Sequence, residues 1–543
     1  MTASPSERGQ GTRAALPETP MQRERATTIY EKSKPGRRAA ALPEPEVPEK
    51  PLAELIPEHL LRTEPPNLPE IAEPEIVRHY NRLSRRNFDL DSGFYPLGSC
   101  TMKHNPRLNE RVAALPGHAR LHPAQDPRRA QGALELMWLL QESLAEICGL
   151  PHVSLQPSAG SHGELAGLLL TRAFHADRGE QRTKVLAPDT SHGTNPASVT
   201  MAGYEAVKVA TNERGGVDIE DLKAKIDADP DQVACLMLTN PNTLGLFDEN
   251  IEQIAALIHA AGGTLYYDGA NLNAVMGHSR PGDMGFDIVH VNLHKSFSQP
   301  HGGGGPGAGP IAVSERIEPF LPRPQVVRRA RREGEAPWRE RRGAMDSRPS
   351  QDEAGYAFDL DLERPKSIGR LRGFQGNFGV FVRSYAYILS LGADGLAEAS
   401  ETAVLNANYL KARLATGRAG ERLPVAFDRH CMHEFVLSGK PMKKELGVAT
   451  LDLAKRLLDF GFHPPTVYFP LLVDEALMIE PTETETKESL DAFAAAIDQI
   501  LAEAEADSEV AKQAPYTTPV RRLDEVKATR KPVVRQPLGG QSR

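Results

Sequence analysis

Four polar side chains follow one another along the middle of the chain, each just after a short apolar run: His192, Asn240, Asp268 and Lys295. Their types do different chemistry. A lysine amine condenses with a carbonyl carbon, an aspartate holds a proton on a basic ring nitrogen, an imidazole offers a flat face, and an asparagine amide donates to an oxyanion. Upstream, the turn Pro157-Ser158-Ala159-Gly160-Ser161 opens the helical run "HGELAGLLLTRAF" and so points backbone N–H groups at any bound anion. A lone lysine after a strand is usually a surface charge, and a lone Asp-Gly is usually a turn. The ordered set of four is much harder to reach by chance.

A pyridoxal phosphate (PLP) site needs these parts. Lys295 would form the Schiff base, Asp268 would keep the pyridine nitrogen protonated, Asn240 would donate near the phenolic oxygen, and His192 would lie over the ring. Ala159, Gly160 and Ser161 would take the phosphate, with Thr194 in the cofactor-binding set. The four glycines Gly302–Gly305 follow the lysine, in "VNLHKSFSQPHGGGGPGAGP". A nucleotide phosphate loop requires GxxxxGK[ST], with the lysine after the glycines. Here the order is reversed and Pro306 follows, so the glycines read as room for a cofactor or a long substrate. Further upstream, "GSCTMKH" supplies Ser99, Cys100 and Thr101, expected near a substrate carboxylate; the plainer alternative is a capped turn before a helix.

The elements that must position these residues are strands alternating with helices. Segments 184–198, 233–247, 263–275 and 286–298 each begin apolar and break into polar residues and turn formers. Helical spacing marks 128–148 and 250–261. This pattern predicts an α/β domain around a mainly parallel sheet, where ligands sit beyond the carboxyl ends of the strands. After about residue 367 the pattern restarts, with helices at 381–417 and 486–505, as a smaller α+β domain.

The domains expected are a disordered segment 1–26, an extended proline-rich arm 27–115, the large α/β domain 116–366 with a charged insertion at 328–353, the small domain 367–507, and a tail 508–543. A net charge of −8 argues against a dedicated nucleic-acid binder, and no apolar run is long enough to span a membrane. The four dispersed cysteines form no CxxC pair, which predicts reduced thiols in a cytoplasmic protein and no metal site.

Several long strings carry a resemblance. "GFYPLGSCTMKHNP", "SHGTNPAS", "LTNPNTLGLF", "YYDGANLNA", "NLHKSFSQPHGGGGPGAGP", "RPKSIGRLRGF" and "IEPTETETKESL" resemble glycine decarboxylase, the P-protein of the glycine cleavage system, and more narrowly subunit 2 of its two-subunit form, glycine dehydrogenase (decarboxylating). The likeness runs from about Tyr30 to about Ala504. It implies fold type I (aminotransferase-like), with a seven-stranded sheet, and PLP on Lys295, paired with Asp268 and covered by His192. It further implies an oxidoreductase-class enzyme that removes CO2 from glycine and passes the aminomethyl group to the lipoyl arm of an H-protein. A partner subunit 1 in an α2β2 assembly is implied as well. Two departures stand out: the insertion 328–353 is longer than the family pattern, and Gln375 stands where an aromatic residue or histidine is expected.

Two other readings are weighed. Another PLP-dependent decarboxylase or an aminotransferase would hold a substrate carboxylate with an arginine, for which Arg370 or Arg372 would serve. A scaffold subunit without chemistry is disfavoured by the intact set of Lys295, Asp268 and His192.

Overall fold

The computed structural model describes residues 27–41, 43–64, 66–301, 305, 307–332 and 355–535. The chain divides into two compact units, Gly93–Lys512 and a smaller one built from Met1–Ser92 with Gln513–Arg543. Each is described by itself.

In the larger unit, seven strands form one sheet in the order β1-β7-β6-β5-β4-β2-β3. They are β1 (His152–Ser154), β2 (Lys184–Pro188), β3 (Glu205–Val209), β4 (Val233–Thr239), β5 (Thr264–Gly269), β6 (Ile288–Val291) and β7 (Ile311–Val313). Strands β2 to β6 run parallel, and β7 is antiparallel to both neighbours. Every residue of β4, β5 and β6 is buried, which explains their unbroken apolar sequences: a parallel sheet is covered on both faces. The order places β6, β5, β4 and β2 side by side. Their carboxyl ends therefore form one row, and the polar residues just beyond them are neighbours in space.

The predicted helices form close to their expected bounds. Gln131–Cys148 is ended by Gly149 in the left-handed conformation (φ 68°). Lys487–Ala506 starts at Thr486, whose hydroxyl accepts from the Ser489 amide. The helix Phe378–Leu414 is interrupted at Gly392 (φ 67°, ψ −173°). Its first half packs Phe381 and Ile388 into the sheet core, and its second half packs Leu410 and Leu414 into another. That other core belongs to a three-stranded antiparallel sheet, β10 (Phe435–Ser438), β12 (Ala476–Ile479) and β11 (Thr466–Val467).

A hairpin of β8 (Gln325–Ala330) and β9 (Tyr356–Asp361) brackets the charged insertion. Residues Arg328–Ala330, read from sequence as the start of an irregular loop, are strand. The Arg328 guanidinium lies over the rings of Trp138 (4.6 Å) and Tyr356 (4.5 Å), and Arg329 pairs with Asp359 at 3.0 Å. These contacts give charged side chains a reason to sit in a strand. Residues 333–354 of the insertion lie outside the described residues, as do 1–26 and 536–543.

Within the smaller unit, the proline-rich stretch contains the helix Glu73–Ser84, tied to the preceding chain by the Arg37–Glu75 pair. Val47, Leu52, Leu55, Leu60 and Leu68 are exposed along it. From Gly93 to Lys512 the chain is part of the larger unit, so residues 93–115, expected from sequence as the end of the arm, belong to it.

One buried ion pair fastens the larger unit at its centre. Lys103 Nζ, 2% exposed, lies 2.7 Å from Glu483 and donates to the Ser296 carbonyl (2.9 Å) and towards the Tyr387 hydroxyl (3.4 Å). Burial works against this charge, but Glu483 and Tyr387 outweigh it and hold the ammonium above its ordinary range. Replacing Lys103 with Met leaves the largely buried Glu483 without its cation, an expected loss of about 3–5 kcal/mol. Chemical denaturation checks it: the unfolding midpoint falls clearly below wild type, and an unchanged midpoint refutes the role.

Candidate active site

The row of strand ends encloses a cavity of about 290 Å³. Lys295 follows β6 on the short helix Leu293–Ser296 and lines this cavity with Asp268 from β5, His192 and Thr194 beyond β2, and Ala159, Gly160 and Ser161 before the helix Gly160–Asp177. The cofactor set read from sequence, Asn240 apart, thus meets in one place, with Ser99 as another part of the wall.

Asp268 is 3% exposed and fully engaged. It accepts from Asn195 Nδ2 (3.0 Å) and from the Ala270 amide (3.0 Å), and His290 Nε2 lies 3.3 Å away. Burial alone would raise its pKa; His290, the Asn195 bond and the Lys295 charge outweigh burial and lower it. Asp268 is therefore a fixed anion at the base of the cavity. His290 is in turn held by the Tyr266 hydroxyl, 2.7 Å from Nδ1.

His192 stands over the cavity mouth, edge-on to Phe469 at 5.5 Å between ring centres. Its Nδ1 is 2.8 Å from the Thr194 hydroxyl, which donates to the buried Glu164 (2.7 Å); Ser198 donates to the other oxygen of Glu164 (2.9 Å). Thr194 thus orients the imidazole as well as lining the site.

The residues fit PLP on three observations. The 18-residue helix Gly160–Asp177 begins at the cavity with no capping side chain, leaving its first amides for a phosphate. The approach there is tight: a Cβ on Gly309 would lie 2.1 Å from the Ala159 carbonyl oxygen. Among the described residues, four buried polar atoms of cavity-lining residues, Thr239 Oγ1, Asn271 Oδ1, Asn292 Oδ1 and His294 Nδ1, have no protein partner. Burial, with Lys295 beside it, pushes His294 down to about 3, so this imidazole is neutral.

Other residues named from sequence lie elsewhere. Asn240 is buried off the cavity, its Oδ1 accepting from the Asp248 amide (2.9 Å); Thr239 and Thr243 line the wall at that strand end. Thr101 is turned towards Glu480, and Cys100 is a half-buried thiol that burial pushes up. Neither Arg370 nor Arg372 lines the cavity. Arg372 donates to Asn377 (2.7 Å), and Gln375 belongs to a separate cavity of about 480 Å³. Asn377 lines that separate cavity and donates to the carbonyls of Ser158 (3.1 Å) and Gly307, the latter a residue of the strand-end cavity. Glu164, Asn195, His290 and His294 were not found by sequence reasoning, although each sits within a segment read as strand, strand end or helix.

The crystal structure of a glycine decarboxylase (P-protein) of the glycine cleavage system, in inhibitor-bound form, aligns with a TM-score of 0.66 at 21% identity, over 82% of this chain and 94% of its own. An alanine–glyoxylate aminotransferase from Nostoc aligns at 0.52 and 17% identity, over 75% and 95%. Fold and site together define a PLP-dependent enzyme of fold type I. A family model for the C-terminal domain of glycine dehydrogenase matches residues 399–520. Probable glycine dehydrogenase (decarboxylating) subunit 2 proteins are 56% identical in Bacillus licheniformis (93% of this chain, 98% of the relative) and 53% identical in Caldanaerobacter subterraneus (95% and 99%). The chain belongs to the glycine dehydrogenase (decarboxylating) subunit 2 family.

The assignment of Lys295 is testable on the purified chain. Incubated with PLP and then borohydride, the wild type should carry a reduced adduct on the peptide containing Lys295, seen by mass spectrometry. Lys295→Ala should carry none, and a reducible adduct on that variant would sink the assignment.

Proposed function

We propose that this chain decarboxylates glycine and passes the aminomethyl group to the lipoyl arm of an H-protein, working with a homologous subunit 1. The observation that carries the reading is Lys295 and Asp268 facing one cavity in a chain of this family. Bound PLP supplies a carbonyl carbon for the substrate amine and a ring that takes up the electron pair left when CO2 departs.

The chain's residues do the rest. Lys295 Nζ would hold the cofactor through its aldehyde carbon. Asp268, ionised and buried, would hold a proton at the ring nitrogen, and His192 would cover the ring, its orientation set by Thr194 and Glu164. The amides at Gly160 and Ser161 would bind the phosphate. Loss of CO2 needs no general base; it needs the carboxylate in a poorly solvated place beside a ring kept electron-poor. The neutral His294 adds no counter-charge there to stabilise the carboxylate.

An assembly with subunit 1, expected as α2β2, is supported by surface left uncovered in both units. Apolar residues of the proline-rich stretch are exposed, and a groove of about 470 Å³ beside the helix Phe378–Leu414 is walled by Leu108, Val112, Leu136, Val382, Tyr385 and Leu389. Among the described residues no helix is long and apolar enough to cross a membrane, and all four cysteines are free thiols, which supports a reducing cytoplasmic setting.

Two measurements test this function. Asp268→Asn should keep PLP bound yet lower glycine–CO2 exchange by about 100-fold or more, because a neutral amide cannot hold the ring proton; exchange within a few-fold of wild type removes Asp268 from the role. Native mass measurement after co-purification from the host should find the chain with subunit 1. Full exchange by this chain and H-protein alone would refute the need for that subunit.

A further inference from the structure

Behind Ser99 lies a pair of acids with no part in the decarboxylation chemistry. Strands β10 and β12 pair with Phe435 opposite Ile479, so Glu434 and Glu480 face each other one step beyond. Both are completely buried. Between them and the cavity runs the loop 96–101, laid across the end of that sheet. The Glu480 amide donates to the Pro96 carbonyl (3.3 Å), and Thr466 donates to the Gly98 carbonyl (2.9 Å). Gly98 has no room for a side chain: a Cβ would sit 2.3 Å from Met478 Cγ.

The next residues take an unusual path. Ser99 (φ 65°) and Thr101 (φ 47°) are both left-handed, a conformation costly for any residue with a Cβ and most of all for a β-branched one. The acids hold it. The Ser99 amide donates to Glu434 (2.7 Å), and both the amide (3.0 Å) and the hydroxyl (2.6 Å) of Thr101 donate to Glu480. His433 lies 3.9 Å from each carboxylate, fully buried, with neither ring nitrogen partnered. Burial pushes it down to about 3, so it brings no positive charge to the pair. Burial raises both acids, and Glu480 raises Glu434 further. The positive charge that acts on both is that of Lys295. Both carboxyl groups are thus pushed towards the protonated form, with Lys295 opposing the shift.

We propose that Glu434 and Glu480 are positioning residues that set substrate size: they clasp residues 98–101 so that Ser99 forms a fixed wall of the cavity and leaves no room for a side chain on the amino acid. The inference rests on the proposed action on glycine and deepens it. Glycine offers a pocket nothing to grip, so a site selects it by denying space to anything larger. A wall held by five hydrogen bonds on a strained backbone does not yield to a methyl group as a free loop would.

The test compares Glu480→Leu, Glu480→Gln and wild type. In the assembled enzyme, Glu480→Leu should lower the preference for glycine over L-alanine, as a ratio of kcat/KM, by about tenfold or more. Glu480→Gln keeps an amide oxygen to accept from Thr101 and should restore most of that preference. In the cofactor-free chain, hydrogen exchange at the Ser99 and Thr101 amides should speed up in Glu480→Leu and stay slow in Glu480→Gln. An unchanged glycine-to-alanine ratio in a variant that has lost overall activity would reduce the pair to a structural role and overturn the proposal. If wild type did not act on glycine at all, the function would fall, and the exchange arm alone would decide the clasp: unchanged amide protection in Glu480→Leu overturns it.

Discussion

The buried ammonium of Lys103 is the fixed point about which the rest of the larger unit is arranged. It joins Glu483, just past the small sheet, to the carbonyl of Ser296, the residue after Lys295, and to Tyr387 on the long helix. An ion pair taken out of water is a poor source of net stability, since desolvation consumes most of its attraction. What it enforces is register. With Ser298 donating to the His104 carbonyl (2.6 Å) and the His104 amide to Thr484 (3.2 Å), the strand-end helix bearing Lys295 has little freedom to slide. An amine that must meet a carbonyl carbon and then leave needs that kind of anchorage in its backbone.

The same burial produces opposite charge states a short way apart. Asp268 is held ionised because an asparagine amide, a backbone amide and His290 face it. Glu434 and Glu480 are both pushed up by burial, Glu434 further by Glu480, and the adjacent imidazole is neutral. Desolvation acts on all three acids; the partners decide the outcome. The anion proposed to serve a cofactor nitrogen and the acid pair proposed as a clasp are thus built from the same residue chemistry.

Much of this was legible in the sequence, for a physical reason. Parallel strands buried on both faces leave short apolar runs, and the residues after each run must sit at the sheet's carboxyl edge. His192, Asp268 and Lys295 could therefore be placed together from the sequence. Asn240 obeys the same rule in sequence, but its side chain turns to cap the Asp248 amide, and that choice depends on a loop eight residues away. Glu164 reads as one more polar residue on a helix, and Glu434 and Glu480 read as residues flanking small strands. Their meaning comes from partners more than 300 residues distant in the case of Ser99 and Thr101, which no local pattern encodes. The strand Gln325–Ala330 was obscured by its arginines; the place of Arg328 over Trp138 depends on a helix far upstream.

That strand has a consequence for how the chain can vary. The pairing of β8 with β9 is fixed by six residue pairs, from Gln325 with Asp361 to Ala330 with Tyr356, so the sheet-side chain enters and leaves the intervening segment at one fixed spot. Lengthening a segment closed in this way costs little, about 0.6 kcal/mol for each doubling. The hairpin therefore works as a port, where a change of length need not move a strand end or disturb the lysine.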